Sequence, residues 1–105
     1  GPVNAKMIIN ALNADVKVFM ADFEDALAPS WANVVDGQNN LRDAIRRTLS
    51  FTDAASGKTY ALKENPATLI TRVRGLHLDE KHVLRKGKRV PGGLFDFALY
   101  FYHNW

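Results

Sequence analysis

The 105-residue sequence contains no cysteine. This absence excludes disulfide bridges, cysteine-ligated zinc, iron–sulfur clusters and thiol catalysis, and it leaves the redox state of the compartment open. No apolar run approaches the ~18 residues that a membrane span needs, because the longest stretch, residues 16–21, contains Lys17. The first residues also lack the basic and then apolar segments of a secretory signal. We therefore expect neither a membrane anchor nor a secretory leader.

A strong charge of one sign is absent as well. The 14 Lys and Arg residues oppose 11 Asp and Glu residues, which gives a net charge of +3, and we expect no nucleic-acid partner. Positive charge is concentrated only in residues 81–89 (KHVLRKGKR), a pattern typical of a solvated loop; contact with an anionic partner is the alternative. The 47% hydrophobic and 24% charged fractions indicate an ordinary globular chain with one modest core.

Apolar residues at helical spacing predict three helices, over residues 4–12, 40–49 and 94–102. We expect Asn13 to end the first helix in the left-handed conformation and Asn40 to cap the second helix. Pro29 and Gly37 are expected to punctuate the loop between the first strand and the second helix.

Two apolar runs of strand length, residues 16–21 and 67–71, predict buried parallel strands that are covered on both faces. Residues 51–62 predict a hairpin that turns around residues 55–57. Strands that alternate with helices favour a βα-repeat architecture with a right-handed connection. Two strands and three helices cannot cover both faces and both edges of a sheet, so partner chains complete it or the chain is a piece of something larger.

Acidic residues directly follow the first strand. If the strand conformation continues, Asp22 and Glu24 share one face and Asp25 lies on the other. Two carboxylates on one face can hold a divalent cation, directly or through its waters. The alternative is a strand end that runs into a helix-capping cluster of acids.

Arginines end the second strand in the same way. Arg72 and Arg74 are expected on one face, with Val73 opposite. A guanidinium cannot shuttle protons at ordinary pH, but its fork of donors suits carboxylate or enolate oxygens. The alternative is a structural ion pair with the acids of the neighbouring strand.

Four segments of the sequence together resemble malate synthase of the shorter, A-type group. They are KMIINALNADVKVFMADFEDALAPSW, DGQNNLRDAIRRT, TRVRGLHLDEKH and PGGLFDFALYFYHN. The segments follow one another in the family's order and cover essentially the whole chain, so the resemblance is specific.

The resemblance implies a (β/α)8 barrel enzyme of the glyoxylate cycle, an acyltransferase that condenses acetyl-CoA with glyoxylate, uses Mg2+ and hydrolyses malyl-CoA to malate and CoA. The TRVRG motif then places Arg72 at the family's catalytic arginine. The ADFEDA motif makes Asp22, Glu24 and Asp25 candidates for positions beside the metal and its waters. Arg74 is a supporting candidate.

Such a barrel needs about 250 residues. Residues 1–105 are therefore expected to form a fragment of the catalytic domain, a partial (β/α)8 TIM barrel with its first strands and helices only and an inserted β-hairpin. The resemblance implies that the direct Mg2+ ligands and the proton-abstracting aspartate lie outside this sequence. We expect the isolated chain to be inactive and to self-associate through exposed apolar edges.

Two other functions remain open at this point. A CoA-ester lyase of the citrate-lyase β or malyl-CoA lyase type shares the barrel and the metal, although the match through FDFALYFYHN favours malate synthase. A non-catalytic binding module would use residues 81–89 to contact an anionic partner. The resemblance further implies a cytoplasmic location in a bacterium and a peroxisomal or glyoxysomal location in a eukaryote.

Overall fold

The computed structural model describes residues 1–105 as a mixed α/β chain. Its elements are α1 (Ala5–Asn13), β1 (Val18–Asp22), α2 (Trp31–Ile45), β2 (Ser50–Thr52), β3 (Thr59–Ala61), β4 (Thr68–Arg72), β5 (Asp79–Arg85), β6 (Lys88–Pro91) and α3 (Gly92–Asn104). β1 and β4 form a parallel pair, while β2–β3 and β5–β6 are antiparallel hairpins. The predicted parallel strands and the first hairpin are thus confirmed. No helix is long and apolar enough to cross a membrane.

The first helix starts as its sequence predicts. The side chain of Asn4 caps it by accepting a hydrogen bond of 3.0 Å from the backbone N–H of Met7. The expected left-handed Asn13 is wrong, because Asn13 is still helical and Ala14 ends the helix in an extended conformation. The amide of Asn13 instead donates to the carbonyl of Ala61 and accepts from the N–H of Lys63, both at 2.8 Å. This side chain therefore ties α1 to the first hairpin.

The second helix spans Trp31–Ile45 rather than residues 40–49, so it is longer than predicted and ends earlier. Asn40, the predicted cap, lies inside it. Ser30 is its cap, and its hydroxyl oxygen accepts from the N–H of Asn33 at 3.2 Å. Gly37, predicted in a loop, lies inside this helix and is buried.

Packing explains why α2 contains a glycine. A Cβ atom at Gly37 would collide with the side chain of Val3 and approach the ring of Phe23 to 3.0 Å. Glycine weakens a helix interior by about 1 kcal/mol relative to alanine, but here it permits α2 to approach the chain terminus and the end of β1. Tertiary packing outweighs local propensity at this position.

The two faces of the β1–β4 pair differ sharply. Phe19, Ala21 and Leu69 lie on the face that packs against the helices. The core on that side consists of Val3, Ile8, Ile9, Leu12, Ala21, Phe23, Leu41, Ala44 and Leu49. On the other face, Val18, Met20 and Ile70 remain 45–47% exposed. The expectation of strands covered on both faces is therefore correct for one face only.

A second hairpin occupies the basic segment that was predicted to be a loop. β5 and β6 join through Lys86 and Gly87, whose φ angles of +51° and +76° are typical of tight two-residue hairpin turns. The basic side chains on this hairpin are exposed, as expected. After the hairpin the chain enters α3 directly at Gly92, close to the predicted start.

Candidate functional site

The parallel pairing brings the carboxyl ends of β1 and β4 side by side. Asp22 and Arg72 are partners in the last register position. Arg72 donates from Nε to Oδ1 of Asp22 at 3.0 Å and from Nη2 to Oδ2 at 2.7 Å. This fork-to-fork geometry is the strongest arrangement of an arginine with a carboxylate. The ion pair with the neighbouring strand, one of the alternatives drawn from the sequence, is confirmed for Arg72.

The carboxylate of Asp22 accepts four hydrogen bonds in total. Its Oδ1 atom also accepts the backbone N–H groups of Glu24 at 2.9 Å and Asp25 at 3.2 Å. The hydrogen bonds from Arg72 lower the pKa of Asp22 to about 2, with help from the backbone donors and against the effect of burial. The carboxylate is therefore ionised at physiological pH.

Two further acids surround the same guanidinium. Arg72 Nη2 lies 2.5 Å from Oδ2 of Asp25, and Nε lies 3.7 Å from Oε2 of Glu24. The hydrogen bonds to Asp22 and Asp25 raise the pKa of Arg72 above its already high ordinary value. Arg72 is thus a permanent cation and cannot accept a proton. The structure brings all four residues together, and the predicted approach of an acid to Arg72 is confirmed. The expected position of Asp25 on the opposite face is wrong, because β1 ends at Asp22 and the strand alternation ends with it.

One nitrogen of this guanidinium is free. The hydrogen bonds of Arg72 use Nε and Nη2, and Nη1 has no partner within the chain. The side chain is 39% exposed, so the two N–H bonds of Nη1 are available to an oxygen atom of a ligand. A guanidinium fixed on one side and open on the other is suited to bind a carboxylate or an enolate.

The acids do not form a metal site by themselves. No group of three or more His, Asp or Glu side chains lies close enough together to hold a metal ion. Asp22 already accepts four hydrogen bonds, so direct ligation by this residue does not fit. The helix-capping alternative is also wrong, because Ser30 caps the next helix.

Arg74 lies apart from this cluster. Its guanidinium is buried, and it donates from Nε to Oδ2 of Asp96 at 3.0 Å and from Nη2 to Oδ1 at 2.9 Å. Nη2 also lies 2.9 Å from Oε2 of Glu80. The shared face with Arg72 is thus not observed, because β4 ends at Arg72 and the chain turns Arg74 towards α3 and β5.

The sequence interpretation overlooked both acidic partners of Arg74. Asp96 is the single acidic residue in α3, a helix otherwise rich in aromatic residues. An acid in such surroundings is a signal for a buried ion pair, because a carboxylate is rarely buried without one. Glu80 carries a weaker signal, since it stands in a segment with many charges.

Comparison with known proteins shows a similarity to malate synthases. The family model for the malate synthase TIM barrel domain matches residues 68–105. Malate synthase A of Escherichia coli is 69% identical over 105 residues, which is 100% of this chain and 20% of that protein. The chain is similar to malate synthases along its whole length.

Two further malate synthases are also similar to almost the whole of this chain. The glyoxysomal malate synthase of Ricinus communis is 58% identical over 105 residues, 100% of this chain and 18% of that protein. The malate synthase of Myxococcus xanthus is 59% identical over 104 residues, which is 99% of this chain and 19% of that protein. The chain thus spans about a fifth of the length of the malate synthases it matches.

Proposed function

We propose that this chain is part of the catalytic domain of a malate synthase that condenses acetyl-CoA with glyoxylate to malyl-CoA, whose thioester is hydrolysed by water to release malate and CoA. Arg72 carries this proposal: its guanidinium is held by Asp22 through Nε and Nη2, while Nη1 stays free for a substrate oxygen. The identity of 69% over the whole chain supports a malate synthase over a CoA-ester lyase.

We propose further that residues 1–105 form part of a (β/α)8 barrel. Val18, Met20 and Ile70 lie on the open face of β1 and β4, and the ion pair of Asp22 with Arg72 lies at its carboxyl end. In a barrel this face would point inwards and pack against other strands, and active sites form at the carboxyl ends of the strands. The open apolar face and its charged end therefore support a partial barrel.

Arg72 is proposed to stabilise negative charge on oxygen. Acetyl-CoA must lose a methyl proton, which places charge on the thioester oxygen as the enolate develops. A fixed cation near that oxygen lowers the barrier, and loss of such a donor typically costs ~3–4 kcal/mol. Because the pKa of Arg72 is raised by Asp22 and Asp25, the proton must leave to another group.

Mg2+ is proposed as the cofactor of the complete enzyme, where it would polarise the glyoxylate aldehyde. Asp22 does not fit as a direct ligand, as argued above. Glu24 and Asp25 keep free carboxylate lone pairs, and Asp25 is 73% exposed, so both can contact a hydrated cation through its waters. We expect the direct ligands on segments outside this chain.

Release of CoA tests the activity. The full-length protein is mixed with acetyl-CoA, glyoxylate and Mg2+, and the free thiol is measured with a colorimetric thiol reagent. We expect turnover that requires both substrates, and none from the isolated 105-residue chain. Thiol release that does not depend on glyoxylate would contradict the proposed reaction. Turnover by the isolated chain would contradict the proposal that essential active-site residues lie outside it.

Replacing Arg72 by lysine tests its role. In the full-length enzyme Arg72→Lys keeps the charge but loses the fork, so we expect kcat to fall by about 10²–10³-fold. The matched control is Arg89→Lys, at an exposed position on β6, which should leave kcat unchanged. A near-native kcat for Arg72→Lys would remove this residue from the mechanism.

The names of the relatives support a proposal for the location of the protein. Relatives named glyoxysomal come from plants such as Ricinus communis and Raphanus sativus, and other relatives are bacterial. We propose a cytoplasmic location if the source is bacterial and a peroxisomal or glyoxysomal one if it is eukaryotic. Microscopy of the tagged full-length protein in its source cell tests this.

A further inference from the structure

The most deeply buried charges of the chain form one cluster. The side chains of Arg74, Glu80 and Asp96 are at most 2% exposed. They come from three different places, namely the segment after β4, strand β5 and helix α3. Because they are enclosed by this chain's own residues, their burial does not depend on any other part of the enzyme. Burying three charges is costly unless each is paired, so the arrangement needs an explanation beyond simple packing.

Arg74 and Glu80 are held in their charged forms. Burial by itself would lower the pKa of Arg74, but the hydrogen bonds with Asp96 and the ion pair with Glu80 outweigh this effect and raise it. Burial would raise the pKa of Glu80, but its hydrogen bonds with His82 and the neighbouring charge of Arg74 lower it instead. The side chain of His82 contacts Glu80 at 2.5 Å from the exposed side of β5. Arg74 and Glu80 are therefore oppositely charged partners inside the cluster.

The cluster also fixes the main chain near Arg74. The backbone N–H of Arg74 donates to Oδ2 of Asp96 at 3.0 Å. A Cβ atom at Gly93 would collide with the carbonyl of Arg74, and the N–H of Gly92 donates to the carbonyl of Leu78 at 2.6 Å. Helix α3 therefore begins directly against the backbone of residue 74.

The backbone of Arg72, two residues before Arg74, is bound to the residue that directly follows β1. The carbonyl of Arg72 accepts the backbone N–H of Phe23 at 2.9 Å. The segment 72–74 is thus held from β1 at one end and from α3 at the other. A guanidinium that must meet a substrate oxygen with a tolerance below 1 Å needs such a rigid backbone.

We propose that Arg74, Asp96 and Glu80 form a positioning cluster that anchors segment 72–74 between α3 and β1 and so fixes the catalytic geometry of Arg72. This inference rests on the proposed function. Arg74 then acts through Arg72 and makes no contact with substrate, which assigns it a role different from that suggested by the sequence.

The test uses the full-length enzyme with Asp96→Asn, which keeps the side-chain volume and removes the charge. We expect kcat to fall on the order of 10- to 100-fold, while KM for acetyl-CoA stays within about twofold, since no substrate contact is lost. We also expect faster hydrogen exchange in the peptide that contains Phe23, because its N–H donates to Arg72. Unchanged kcat per folded molecule, with faster exchange confined to α3 and β5, would overturn the proposal.

A second variant keeps the test decisive if Asp96→Asn does not fold. Arg74→Lys retains the buried charge but replaces the two-pronged hydrogen bonding by a single ammonium, and the same changes in kcat and in Phe23 exchange are expected. Lys81→Gln, on the exposed side of β5, is the control and should alter neither. If the wild type formed no malate, the proposed function alone would be rejected. The hydrogen-exchange measurement does not depend on malate formation, so it would still test whether the positioning cluster holds segment 72–74.

Discussion

Asp22→Asn provides a direct measure of the ion pair at the end of β1. Asparagine has nearly the same shape, but its Nδ2 group would face Arg72 Nη2, which now lies 2.7 Å from Asp22 Oδ2, and two donors would meet. The pKa of Asp22 falls from 3.8 to about 2, which corresponds to about 2.4 kcal/mol. Because the Arg72 side chain is 39% exposed, solvent screening reduces this to about 1–2 kcal/mol.

The effect depends on pH in a defined direction. A carboxylate whose pKa is lowered in the folded state stabilises that state at high pH, and this stabilisation disappears as the pH falls through the folded pKa. With the values of 3.8 and about 2 for Asp22, roughly nine tenths of the stabilisation remains at pH 4 and less than about a fifth at pH 2.

The measurement is urea unfolding of the 105-residue chain, followed by circular dichroism at concentrations where gel filtration shows a monomer. Wild type and Asp22→Asn should differ by about 1–2 kcal/mol in free energy of unfolding at pH 7 and converge near pH 2. Asp15→Asn, at an exposed position, is the control without an ion pair. Equal stabilities at pH 7, or a gap that persists at pH 2, would refute the reasoning.

Three further predictions concern packing and association. Gly37→Ala should lower the free energy of unfolding by about 1–3 kcal/mol, because its Cβ would press on Val3 and Phe23; an unchanged urea midpoint would contradict this. Gly57→Ala meets open space but has a φ angle of +71°, so it should cost about 1–2 kcal/mol from backbone strain alone, and a neutral result in the same assay would oppose that assignment. Phe97→Lys places a charge on the exposed face of α3 and should shift the isolated chain towards monomer in gel filtration; equal association of both chains would show that another surface drives it.

Local patterns were sufficient for much of the fold. The apolar spacing in residues 4–12, the two apolar strand runs and the turn at residues 55–57 each reflect a single element, and each is present in the structure. The first turns of α2 were missed because Gly37 looks like a helix breaker. Its reason lies in Val3, which is distant in sequence, so no local pattern could reveal it.

The candidate site was predictable to a similar degree. Charges that follow parallel strands meet at the same edge of a sheet, so the approach of Asp22 to Arg72 could be deduced from two strand ends. The separation of Arg74 from Arg72 could not, because alternation holds only while the strand lasts, and β4 ends at Arg72. The partner Asp96 is supplied by the folding of α3 against that turn.

The pairing of β1 with β4 sets a delay during synthesis. Residues 23–67 separate the two strands, and at the usual 5–20 residues per second a ribosome needs about 2–9 s to produce them. During that interval the edge of β1 that later pairs with β4 has no partner strand. Slower translation of residues 23–67 lengthens the time in which two nascent chains can pair through this edge, so codon choice in that stretch bears on the yield of native protein.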